Sequence, residues 1–88
     1  MDQNIAKQLE SLGFEIIGTG GGCTAWAKYH HGLEVLISDD ASADLDGEHC
    51  SINVFDQDGL DVMTLELKVD KLPQQIQEIF KLTAKGRI

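Results

Sequence analysis

Four of the nine glycines in this 88-residue chain fall within five positions, Gly18-Thr19-Gly20-Gly21-Gly22. Glycine reaches backbone angles closed to other residues and weakens any helix built through it. The stretch therefore reads as a bend or wide turn, with short elements meeting on either side. Phe14-Glu15-Ile16-Ile17 precedes it and has the β-branched, apolar character of a strand. Cys23–His30 follows, carrying the only tryptophan, Trp26. His31-Gly32 then reads as a two-residue hairpin turn into the strand Leu33–Ser38.

The remaining segments extend this pattern. Residues 2–12 place Ile5, Leu9 and Leu12 on one helical face, with Asp2 as a cap and Gly13 at the left-handed C-terminal position. Residues 39–48 are polar and acidic and read as a surface loop. Cys50–Phe55 alternates like a strand, Asp56-Gln57-Asp58-Gly59 is a turn, and Leu60–Val69 alternates again, with Met63, Leu65, Leu67 and Val69 on one face. A last helix begins near Asp70, read as its cap, with Pro73 in the first turn. Leu72, Ile76, Ile79 and Phe80 share one face of it, Lys81 and Lys85 lie near its end, and Gly86 closes it. Hairpin turns join neighbouring antiparallel strands. The expected fold is one α+β domain over residues 1–88. It is an antiparallel meander of four to five strands with an N-terminal and a C-terminal helix packed on one face. Pairing across His31-Gly32 sets Trp26 opposite Ile37 and Lys28 opposite Val35. Trp26, Leu33, Val35 and Ile37 then form the bulky face that meets the helices. Cys23, Ala25, Ala27 and Leu36 form the smaller one.

Charge narrows the partners. The net charge is −8, and residues 29–67 contain ten carboxylates and no Lys or Arg. Such a segment repels phosphate backbones, so direct nucleic-acid binding is not expected; it reads as a solvated face that keeps the chain soluble, with attraction of a basic protein to the acidic 39–61 region or mimicry of nucleic acid as alternatives. No apolar run approaches the roughly 20 residues of a membrane span. No basic region followed by a long apolar core opens the chain, so the cytoplasm is the expected location. Two cysteines, Cys23 and Cys50, are too few to staple a secreted domain and read as free thiols. A chain this short buries a limited core, and homodimerisation would bury more.

The glycine stretch also fits a cofactor motif. Gly20-Gly21-Gly22-Cys23-Thr24-Ala25 matches G-x-G-x-x-[GA], and Asp39 follows Gly20 by 19 residues, the spacing of a dinucleotide fingerprint. Against it, Thr24, Trp26, Tyr29 and His30-His31 are weak helix formers, and the chain is too short for the remaining β-α-β units. No cofactor is expected. The acidic loop fails as a calcium-binding EF-hand: with Gly47 at the sixth position, Asn53 falls where a bidentate Glu is needed. His30, His31, His49, Cys23 and Cys50 show no metal-ligand spacing, and His30 and His31 are expected on opposite faces of a strand. No nucleophile–base pair or carboxylate dyad is placed, so no catalytic residue is assigned.

Gly20-Gly21-Gly22-Cys23-Thr24-Ala25-Trp26, followed after a turn by Leu36-Ile37-Ser38-Asp39, resembles a group of small acidic bacterial, phage and plasmid proteins. They share a G-G-G-C-T-A motif and a downstream L-[IL]-[TS]-D. In that group the intervening turn varies in length, which favours a hairpin. Its frequent setting in mobile elements implies an interaction protein, and it implies no activity and no site residue. The leading expectation is a noncatalytic interaction or accessory module, with Gly20, Gly21, Gly22, Trp26, Asp39 and Asp40 as candidate contacts. The alternative is a small-molecule or nucleotide-binding protein using Gly18–Gly22.

Overall fold

A computed structural model describes residues 3–39, 42–45 and 47–84. The elements run α1 (Gln3–Ser11), β1 (Glu15–Gly20), β2 (Cys23–His30), β3 (Leu33–Ser38), β4 (His49–Phe55), β5 (Asp61–Lys68) and α2 (Leu72–Ala84). The strands pair in chain order as one five-stranded antiparallel meander. One core cluster joins Ile5 and Leu9 of α1 and Leu72, Ile76 and Ile79 of α2 to Trp26, Val35, Ile37, Ile52 and Val54 of the sheet. Both helices thus cover one sheet face, and the fold is the α+β arrangement that the hairpin turns imply. Trp26 lies opposite Ile37 and Lys28 opposite Val35.

The boundaries differ for local reasons. The first helix ends where Gly13 turns left-handed at φ 96°. There the Phe14 N–H donates to the Leu9 carbonyl and the Gly13 N–H to the Glu10 carbonyl, both at 3.0 Å, the two bonds of a Schellman motif. Phe14, expected within the first strand, sits just before it with its ring buried and stacked on Phe80, centroids 6.0 Å apart. The strand runs on to Gly20 because a bulge between Gly18 and Gly20 absorbs the irregularity. Gly21 and Gly22 form the turn, at φ 60° and 80°. Both angles lie in the left-handed region that a two-residue hairpin uses.

At the far end, β5 begins at Asp61, and a bulge leaves Val62 without a cross-strand partner. Asp70 lies inside a 3₁₀ turn, Val69–Lys71, instead of capping the helix, which starts at Leu72 with Pro73 in its first turn. Asp2, Lys85 and Gly86 lie outside the described residues. His30 and His31 do not point apart. Positive φ at His31 swings its ring into edge contact with His30, centroids 4.3 Å apart.

The largest departure is the segment after β3. Residues 39–48 are not simply a polar surface loop, because Ala43 and Leu45 are each 2% exposed and belong to the core. Asp39 and Ser42 exchange backbone hydrogen bonds of 2.8 and 2.9 Å, turning the chain inward beneath Trp26. No helix among the described residues is long and apolar enough to cross a membrane.

Candidate functional site

Alternation along β2 divides the glycine-containing motif into two sets. Thr24 and Trp26 point to the helix-covered face, Cys23 and Ala25 to the other. Thr24 and Trp26 together grip one residue of the acidic loop. The indole N–H of Trp26 donates to the Ala43 carbonyl at 2.9 Å, and the Ala43 N–H donates to Thr24 Oγ1 at 2.9 Å. Both backbone groups of a buried residue are thereby satisfied by the motif's side chains, which a buried backbone requires. Asp39 completes the arrangement: its Oδ2 accepts the Gly47 N–H at 3.1 Å, closing the loop's two ends on each other.

This geometry assigns internal work to two of the six residues expected to meet a partner, Trp26 and Asp39. Trp26 is 2% exposed and cannot be an anchor for another protein. It is packed because the bulky sheet face is the one the helices and the loop cover. Asp39 holds the loop. Asp40 lies outside the described residues. Gly20, Gly21 and Gly22 are exposed, and a Cβ on any of them would meet nothing within 4 Å. The glycine turn therefore projects into solvent, with a strand after it and no helix N-terminus to hold a pyrophosphate.

The chemistry of the titratable groups is quiet. Burial, with Asp39 nearby, pushes the Cys50 thiol up to about 11, away from a reactive thiolate. No group of three or more His, Cys, Asp or Glu among the described residues could hold a metal ion. His30 stacks on Phe80 at 4.2 Å, and its buried Nε2 has no hydrogen-bond partner among the described residues. Desolvation, then the neighbouring His31, lowers its pKa.

The sheet face turned away from the helices is different. Pairing aligns Glu15, Ala27, Leu36, Asn53 and Thr64 in one row across all five strands, and in the next it sets Ile17 opposite Ala25 and lines up Ser38, Ser51 and Glu66. The middle of this face is made of small or apolar side chains, and its edges carry carboxylates. Ala25 and Ala27 are only 3% and 8% exposed because taller neighbours, Ile17 and Leu36, stand beside their methyls. Tyr29, 76% exposed, stands at one end opposite Glu34. A hydrogen bond to that carboxylate, then its charge, raises the phenol pKa above 10.0. Two shallow hollows open here. One of about 390 Å³ lies by Glu15, Ile17, Ala27 and Tyr29, and one of about 430 Å³ by Ser38, Ser51, Asn53 and Glu66.

Reading from sequence separated the smaller sheet face from the helix-covered one but missed the loop clamp. A signal for the clamp was present: Ala41, Ala43 and Leu45 alternate with Ser42, Asp44 and Asp46, a period-two pattern hidden under the acidic composition. Compared with known protein families, with curated proteins and with solved structures, the chain matches none of them.

Proposed function

We propose that the chain is a noncatalytic protein-interaction module that receives a basic partner on the open face of its sheet. The observation that carries this reading is the uncovered, small-residue centre of that face, bordered by Glu15, Glu34 and Glu66. Antiparallel sheets often leave one face in water, and an apolar patch on such a face marks a binding surface. Carboxylates at its margin favour a cationic partner and speed the encounter. The resemblance to small proteins of mobile elements fits an accessory role of this kind.

The test is a pull-down of the full chain at low and at about 0.5 M salt, beside an Ala27→Arg variant. That substitution puts a long cation at the centre of the face and away from the helices. A bound protein retained by the unaltered chain, weakened by salt and lost on Ala27→Arg supports the reading. Retention by Ala27→Arg, with Trp26 emission showing an intact fold, rejects the open face as the contact.

A further inference from the structure

We infer that the free edge of β1 pairs with the same edge of a second copy of this chain, joining two sheets into one of ten strands. This surface is separate from the open sheet face, and the inference stands on its own observations.

The first observation is a core row that runs out into water. Cross-strand pairing lines up Ile16, Trp26, Ile37, Ile52 and Leu65 on the helix-covered face. Trp26 is 2% exposed and Ile37 and Ile52 are 0%, but Ile16 at the β1 end is 54% exposed. The apolar layer ends there without a residue to close it.

The second observation is the contrast between the two edges. Edge strands usually carry charges, Pro or bulges that discourage pairing. β5 has Asp61, Glu66 and Lys68 exposed along it and a bulge at Val62. β1 reads Glu-Ile-Ile-Gly-Thr-Gly, and its one bulge lies at the glycine end, leaving Glu15–Gly18 in regular pairing geometry. Among the described residues no strand lies beyond it.

The third is charge. Two chains of net charge −8 repel, so they meet most readily where carboxylates are absent. Residues 16–33 contain none, although the chain has 15. This run covers β1 after its first residue and all of β2. Antiparallel pairing about a two-fold axis at Ile16 sets Ile16 against Ile16 of the second copy and Glu15 against Ile17. No carboxylate faces another. The two core rows become one continuous row, and all four helices lie on the same side of the joined sheet. Such an isologous contact is closed and does not propagate.

The experiment is sedimentation velocity of the full chain over a concentration series, with Ile16→Lys and Val62→Lys beside it. The unaltered chain should sediment at twice its 9.6 kDa mass. Ile16→Lys should be monomeric, and Val62→Lys, on the other edge, should remain dimeric. A Cys23→Ser chain carrying Ile16→Cys should form an intermolecular disulfide on mild oxidation, because residues opposite each other in antiparallel strands lie within disulfide reach. This second readout holds even if Ile16→Lys does not fold. A monomeric unaltered chain, a dimer that survives Ile16→Lys, or no cross-link at Ile16→Cys overturns the inference.

Discussion

Ala43 has both its backbone groups held by side chains of one strand. Thr24→Val keeps the shape but leaves the Ala43 N–H buried without an acceptor. That should cost about 1–3 kcal/mol in urea unfolding, while Thr24→Ser, which keeps the hydroxyl, should cost less. Trp26→Phe removes the indole donor and also leaves a void, so it should cost at least as much. With one tryptophan in the chain, its emission reports this pocket directly: it should be blue-shifted and poorly quenched by acrylamide in the native state, and both features should weaken in Thr24→Val. The single tyrosine offers a second clean readout. Tyr29 should ionise above 10.0 when followed by ultraviolet absorbance, and Glu34→Gln should bring it back towards that value. An unchanged titration in Glu34→Gln would show that the carboxylate is not its partner in solution.

At the scale of elements, the ends of helices and strands carry most of the specificity. Gly13 closes α1 at φ 96°, a left-handed conformation that a side chain strains, while a Cβ there would only push aside the flexible end of Lys28. Gly13→Ala should therefore destabilise by about 1 kcal/mol or more, against the usual benefit of replacing glycine. α2 docks through an aromatic stack in which Phe80 lies between Phe14 and His30, with Lys28 Nζ 5.6 Å from its ring centre. His30 is neutral by preference there, because its ring is desolvated and lies beside His31 and Lys28. Its native pKa lies below the unfolded value of about 6.5. The stability it contributes is complete above about pH 6.5 and is lost as pH falls through that value towards the lower native pKa. The urea midpoint should fall on acidification below about pH 6.5, and His30→Phe should remove that part of the slope. If His30→Phe leaves the slope intact, another group carries it.

The whole molecule is one layer of helices on one sheet, with its charge unevenly spread. Ten carboxylates without a single Lys or Arg between residues 29 and 67 repel one another. Screening shortens that repulsion from about 10 Å at 0.1 M salt to about 3 Å at 1 M. The thermal midpoint should therefore rise with added sodium chloride, and a midpoint that falls would show that favourable ion pairs outweigh the repulsion. The acidic segment nevertheless sends Leu45 into the core. Leu45→Ala should cost about 2–5 kcal/mol, as for other buried leucines. A surface loop of the same composition would lose almost nothing, so this substitution separates the two descriptions of residues 39–48.

Local chemistry made most of the fold legible. Turn residues at His31-Gly32 and Asp56–Gly59, helical spacing in Ile5, Leu9 and Leu72, Ile76, Ile79, and strand alternation between them act over a few residues. They point to four or five strands and two helices before any packing is known. Hairpin turns then settle strand order and set Trp26 opposite Ile37. The candidate site was far less legible, since Trp26, Thr24 and Asp39 look like surface chemistry until the loop folds under them. Their partner, Ala43, lies 17 and 19 residues away in sequence from Trp26 and Thr24. No period or spacing encodes a contact over that distance. Which row of side chains is left open at Ile16 and which carboxylates border an uncovered sheet are properties of the assembled layers. They arise because the hydrophobic effect is non-directional: it favours burying an apolar side chain such as Trp26, and only the tertiary arrangement decides against what.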